Sequence, residues 1–313
     1  MIRLFPASML LLLAGPVLAG LAGALMPAFG YLPALGGEAP SLEPFHRLAA
    51  EPGLDTAVLL SLATGLGSTA IAVGGVLVFT AAFLRTRLFA RLALLLSPLL
   101  SVPHAAAAVG LAFLLAPSGW ILRLVSPWAS GLTRPPDLLV VADPCGLTLM
   151  LGLAVKELPF VFLMVLAALP QADARRMGEV AAALGHGPVT AFAGAVLPRL
   201  YPLIRLPVYA VIAFATSAVD VALILGPTTP PPLAVLVLRL AADPDLSTRF
   251  TASAAAVLQL AVSLAAIGLW IGLERLVAAL GRRLSRSGRR RLADRALAGL
   301  GLATTARAAA LVV

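Results

Sequence analysis

The sequence predicts an all-α integral membrane protein with six transmembrane helices. Three observations carry that expectation. Sixty per cent of the 313 residues are apolar and only 12% are charged, and mean hydropathy is +1.01. A soluble domain is nearer half apolar and a quarter charged. Six windows are continuously apolar over about 20 residues, the length that crosses a bilayer core at about 1.5 Å rise per residue. The apolar residues do not alternate, which excludes a β-barrel and leaves helices to satisfy the backbone in lipid. The 25 prolines and 27 glycines fit this class, because both are commoner in membrane helices than in soluble ones.

The first window, Ala7–Ala28, follows Arg3 and ends in small residues, as a signal peptide does. The run goes past Leu25 and is long enough to span, so an uncleaved helix is expected. The second and third windows, Ala57–Leu84 and Leu92–Leu115, are separated by a short segment carrying Arg85, Arg87 and Arg91. The fourth, Gly146–Leu169, holds Lys156 and Glu157 near its middle, and the fifth, Leu203–Leu225, holds Asp220. The sixth, Thr251–Leu273, precedes the basic stretch GRRLSRSGRRRLADR, residues 281–295. The resulting organisation is a first helix and outer loop over 1–55, a transmembrane core over 56–273 with a polar loop at 171–202, and a basic tail over 274–313.

Arginine placement sets the orientation. With a cytoplasmic N-terminus, 17 arginines fall on the inner side and five on the outer side. Even without the nine from Arg275 to Arg307 the inner side leads by eight to five. The positive-inside rule therefore puts both termini in the cytoplasm of a multi-pass inner (plasma) membrane protein. The outer loops, Gly36–Thr56, Ser118–Cys145 and Gly226–Arg249, are too short to be enzymatic domains. The run Thr228-Thr229-Pro230-Pro231-Pro232 reads as an extended outer segment.

Several functions are excluded by composition. The net charge of +9 reflects inner loops, and the basic stretches lack interleaved aromatics or zinc-finger spacing, so no nucleic-acid partner is expected. Cys145 is the only cysteine, and His46, His104 and His186 are far apart. No metal site, cofactor or intrachain disulfide is expected. No cluster of His, Asp or Cys marks a catalytic centre. Lys156 is the only lysine and is followed by Glu157, so the chain cannot supply the Gly-Lys-Ser/Thr ending of an ATPase phosphate loop. If ATP drives its work, another subunit must bind the nucleotide.

Charges inside spans are costly, about 2.5–3.5 kcal/mol even on the forgiving insertion scale, so Lys156, Glu157 and Asp220 should face neighbouring helices or a pathway. Adjacent helical residues point about 100° apart, so Lys156 and Glu157 cannot face one neighbour equally. The expected arrangement pairs Lys156 with Asp220 and leaves Glu157 toward the pathway or Ser217. A buried ion pair that only fixes helix packing is the other reading. His104, after Pro103, is a candidate gate or solute contact, or else a histidine bonded to a neighbouring helix. Pro159, one turn after Lys156, can open backbone groups toward a cavity or simply kink the helix.

The polar loop has its own grammar. Ala172–Leu184 is helix-compatible. Gly185 suits a left-handed stop, and Pro188 can open a second helix. A short helix, a sharp turn and a second helix entering the membrane near Pro202 are expected. Such a helix projects as a knob on which a partner can push; an ordinary amphipathic connector is the other reading.

The segment from Glu179 to Pro198 resembles the signature loop of the permease subunits of binding-protein-dependent ABC importers. That pattern is Glu-Ala-Ala, three variable residues, Gly, nine variable, Ile, one variable, Leu-Pro. This chain has Glu179-Val180-Ala181, Gly185, Ala195, Leu197 and Pro198 at matching spacing, with Val180 and Ala195 as apolar departures. Leu59–Phe79 is similar to the family's first core helix, and the resemblance extends over about 56–273. It implies a type I importer permease fold with Glu179, Ala181, Ala182, Gly185, Leu197 and Pro198 in a loop that couples to a separate ATP-binding subunit. It also implies a periplasmic or extracellular solute-binding protein and a second permease, identical or paralogous. Leu100–Trp120, Lys156–Gln171 and Leu225–Leu240 look like the thiamine-type permeases near the iron and polyamine branches, which suggests a cationic solute such as thiamine. The alternative is an ion-coupled secondary transporter or channel relaying ions through Lys156, Glu157 and Asp220.

Overall fold

The computed structural model describes residues 4–286. Among them the secondary structure is helical, with no strand beyond one isolated bridge between Leu32 and Gly37. Helix α1 (Leu4–Ala28) is followed by the short α2 (Glu43–Ala49) and the long α3 (Leu54–Phe83). Next come α4 (Arg87–Leu96), α5 (His104–Leu115), α6 (Trp120–Val125) and α7 (Leu147–Ala168). The polar loop contributes α8 (Ala174–Ala183) and α9 (Pro188–Ala191). The chain ends its described part with α10 (Leu197–Ser217), α11 (Asp220–Leu225), α12 (Leu233–Ala241) and α13 (Thr248–Arg286). Among the described residues six helical stretches are long and apolar enough to cross a membrane.

Three of the six expected windows survive with small changes of end: the first, second and fourth. The third does not form one rod. Residues from Arg87 to Leu115 divide into α4, a 3-10 turn over Ser97–Ser101 and α5, with extended backbone at Val102 and Pro103. Pro103 lacks an N–H and disfavours the α conformation at Val102, so the helix stops there and restarts at His104. The apolar stretch long enough to span in this region is His104–Val125. The fifth window is also displaced. Its spanning stretch is Pro188–Ser217, and the chain breaks at Ala218 before α11. The sixth helix continues past Leu273 to Arg286. At 39 residues it is about 58 Å long, well beyond what a bilayer core needs. The remainder of the predicted basic tail lies outside the described residues.

The centre of the bundle is formed by α3, α7, α10 and α13. Val73, Val76, Phe162, Val165, Ile204, Val208 and Ile212 are packed together there. Over half of the α7 window, 56%, is buried, against none of the α1 window. So α7 is the hub, and α1 is a peripheral helix resting on α13. Close approach of α3 to α10 depends on Gly65. A Cβ there would sit 3.0 Å from the Thr216 Cα and would also strike its methyl. Small residues allow membrane helices this proximity. Thr216 and Ser263 then share a 2.9 Å hydrogen bond between α10 and α13, and Gln259 donates to the Thr216 carbonyl.

The segment after Gly226 is not a free outer loop. Pro231, Pro232 and Leu233 to Leu236 are buried, and α12 packs on α13 and α3. The Leu233 N–H donates to the Ser61 hydroxyl at 2.9 Å. The Pro-Pro-Pro run ends by seating this helix in the bundle.

Candidate functional site

Two regions hold the residues singled out from the sequence. The first is the α8–α9 loop. Helix α8 ends as expected: Gly185 has φ +83°, the region where glycine is least strained. The Gly185 N–H donates to the Ala182 carbonyl at 2.9 Å, and the His186 N–H donates to the Ala181 carbonyl at 3.1 Å. This pair of bonds is a Schellman stop, which satisfies the last carbonyls of the helix. Pro188 takes the first position of α9, where its missing N–H removes nothing.

Beyond α9 the backbone widens into a π turn over Phe192–Val196, closed by the Leu197 N–H on the Phe192 carbonyl. Pro198 follows directly. A proline ring collides with the carbonyl four residues earlier, and the extra residue in a π turn moves that carbonyl aside. The Leu-Pro end of the loop thus has a structural consequence that spacing alone did not reveal. The expected second helix begins at Pro188 and continues through this widened turn, so there is no separate entry point at Pro202.

On α8, Arg175 and Glu179 form an i,i+4 ion pair at 3.0 Å, with side chains 93% and 57% exposed. Such a pair contributes a few tenths of a kcal/mol, about 0.3–0.5. Ala181 is buried, while Val180 and Leu184 project outward as exposed apolar side chains. Glu179 and Ala182 line a cavity of about 870 Å³ between α8 and the ends of α3 and α7. Arg85, Asp173, His186 and Phe192 also line it. Leu197 and Pro198 stand beyond its wall, at the head of α10. The loop therefore presents an exposed apolar knob on a helix whose length is set by Gly185.

The second region lies between the spans. Lys156 is buried on α7, and its Nζ donates to the Leu99 carbonyl at 3.0 Å and the Leu100 carbonyl at 3.5 Å. Those carbonyls end the 3-10 turn that precedes the Val102–Pro103 break. The expected pairing with Asp220 is not formed: among the described residues no ion pair joins Lys156 and Asp220. A helix stopped inside the bundle leaves carbonyls without intrahelical donors, and a buried ammonium satisfies them while losing part of its own desolvation penalty.

Glu157 is paired differently as well. Its Oε1 lies 3.7 Å from the His104 Nε2, with the Glu157 side chain 8% exposed and His104 35% exposed. His104 sits at the start of α5 and packs its ring against Phe214 at 4.7 Å between centroids. Ser217 does not meet Glu157; its hydroxyl donates to the Ala213 carbonyl at 2.7 Å. Asp220 is exposed and opens α11 just past the Ala218 break. Helix α11 packs against α5. Two interrupted helices, α4/α5 and α10/α11, thus bring His104 and Asp220 toward one place, with Glu157 supplied by α7. Interrupted helices with polar side chains at the breaks are how membrane bundles expose binding groups at depth. Among the described residues no group of three His, Cys, Asp or Glu side chains is arranged to hold a metal ion.

A third polar cluster was missed. Tyr201, Arg205 and Tyr209 on α10 converge on Glu274 of α13, with Trp270 donating to the Tyr201 hydroxyl at 2.9 Å. The i, i+4, i+8 spacing of the α10 residues and the i, i+4 spacing of Trp270 and Glu274 put each set on one helix face. That spacing was the available signal.

No protein-family model matches this chain. The chain is similar to the inner membrane ABC transporter permease protein YnjC of Escherichia coli (strain K12), 33% identical over 199 residues, which is 63% of this chain and 36% of that protein. The chain thus spans about a third of the length of that relative. The similarity supports an ABC permease and, with the six apolar helices, a multi-pass inner membrane protein.

Proposed function

We propose that this chain is the permease subunit of an ABC importer: it forms part of a solute pathway and takes its motion from a separate ATP-binding subunit. The observation that carries the reading is the α8–α9 loop. Its Schellman stop at Gly185, its exposed Val180 and Leu184, and its Glu-x-Ala to Leu-Pro spacing form a short rigid knob joined through the π turn to α10. A partner that pushes on α8 therefore moves α10. Glu179 and Gly185 transmit that force and do not contact solute. The loop and both termini are cytoplasmic. A solute-binding protein delivers the solute from the other side, and a second permease, identical or paralogous, completes the pathway.

The solute is a small cation, for which thiamine is the working example. Support comes from the pathway end of the site. Lys156 is held by the Leu99 and Leu100 carbonyls, while Asp220 is exposed and Glu157 lies beside His104, so two acidic groups stand against one ammonium where the helices break. The same placement of Lys156 tells against a relay of ions through Lys156, Glu157 and Asp220.

The test is purification of the tagged chain from membranes with its associated proteins. An ATP-binding subunit and a second permease chain should be recovered, and ATP should drive uptake into proteoliposomes of the complex. Uptake driven by an ion gradient in vesicles lacking the ATP-binding subunit would overturn the proposal.

A further inference from the structure

The cluster around Glu274 lies outside both regions described above, and the shape of α10 gives it a task. Helix α10 contains Pro202 and Pro207. Each removes a backbone N–H donor, so α10 has two weak points within about three turns of its head. Tyr201, Arg205 and Tyr209 straddle those prolines. All three are tied to one carboxylate. The Tyr201 hydroxyl donates to Glu274 Oε1 at 2.7 Å. The Arg205 Nε and the Tyr209 hydroxyl donate to Glu274 Oε2 at 2.9 and 3.0 Å. Arg205 Nε also contacts the Tyr209 hydroxyl, and its guanidinium carbon lies 5.4 Å from the Tyr209 ring centre. Trp270, one turn before Glu274 and 7% exposed, fixes the Tyr201 hydroxyl from the same helix. The Glu274 side chain is 12% exposed. Charge-assisted bonds in such a setting are stronger and shorter than neutral ones.

We infer that Glu274 is a positioning residue that braces the proline-weakened part of α10 against α13, so that the loop helices and the last helix move as one body. A rod with two missing backbone bonds bends when pushed at one end. With Glu274 in place, a push on α8 reaches α13 without that loss. The inference rests on the force-transmitting reading of the loop.

The experiment measures the distance between spin labels on Ala193→Cys and Leu280→Cys in a Cys145→Ser background. Both positions are exposed, one on the loop side of the prolines and one on α13. The full chain, purified with its ATP-binding subunit in lipid nanodiscs, should show a narrow distance distribution that stays put when ATP and vanadate are added. Glu274→Ala should broaden it and make it shift with nucleotide, and α10 amides around Pro202 and Pro207 should exchange about tenfold faster. Adding Pro202→Ala and Pro207→Ala to Glu274→Ala should narrow the distribution again, which a loss of general folding would not do. A Glu274→Ala distribution identical to the parent overturns the inference, and so does failure of the two alanines to restore it. If no ATP-binding subunit accompanies the chain, the transport reading fails, while the distribution in the isolated chain still reports on the brace.

Discussion

The α8–α9 loop and the break region around Lys156 both carry polar residues in a very apolar chain, yet they are built on different principles. The loop is encoded locally. Its stop, its turn and its restart come from Gly185, Pro188 and Pro198, each acting on its own backbone within five residues. The break region is encoded across the bundle. Lys156 satisfies carbonyls 56 and 57 residues away, and Glu157 meets a histidine on another helix. Local devices should tolerate changes elsewhere and fail sharply when their own residue changes. Distributed devices should fail in stages and in proportion to the partner left unpaired.

The largest expected effect comes from Gly185→Val. A β-branched residue at φ +83° costs roughly 1–2 kcal/mol, and relief of that strain changes the direction in which α8 leaves the bundle. ATP-driven uptake in proteoliposomes should fall to background while the chain remains in the membrane at normal amount. Normal uptake by this variant would remove the loop from the mechanism.

Next is Lys156→Met. It removes the ammonium that bonds the Leu99 and Leu100 carbonyls, of which Leu99 keeps the Val102 N–H at 3.4 Å; a hydrogen bond to a charged group contributes about 1.5–3 kcal/mol. The thermal midpoint of the detergent-solubilised protein should drop clearly, and it should drop more than for Asp220→Asn. A double-mutant cycle between positions 156 and 220 should give an interaction energy below about 0.5 kcal/mol, as expected for groups that do not form a pair. A larger coupling would restore the ion pair expected from sequence.

Glu157→Gln sharpens the contrast. It keeps the shape beside His104 and removes the charge, so assembly with the ATP-binding subunit should be unchanged while uptake of a cationic solute such as thiamine declines several-fold. Equal uptake by the variant would separate Glu157 from solute selection. The smallest effect belongs to the Arg175–Glu179 pair. Arg175→Ala should change stability by no more than about 0.5 kcal/mol, within the scatter of repeated melting curves. A large destabilisation would mean that this exposed pair is buried in the assembled state.

Much of this molecule was legible in the sequence because the bilayer and the backbone impose one-dimensional rules. A continuous apolar run has to be a helix in lipid, and a glycine free to turn left-handed, as Gly185 does, gives one a place to stop. Those rules determined the all-helical class, the number of apolar helices and the stop and restart of the loop at Gly185 and Pro188, but not the π turn that follows. Only the tertiary structure decided which charge meets which. Lys156 and Asp220 are of opposite sign and both lie inside apolar windows, so pairing them was the economical expectation. It failed because Pro103 breaks the third window and leaves carbonyls that need a donor. That need depends on where the broken helix lies against α7. The same limit hid the Glu274 cluster, whose members are separated by 65 to 73 residues. A sequence states what each residue needs, and the packing of helices selects the partner that meets it.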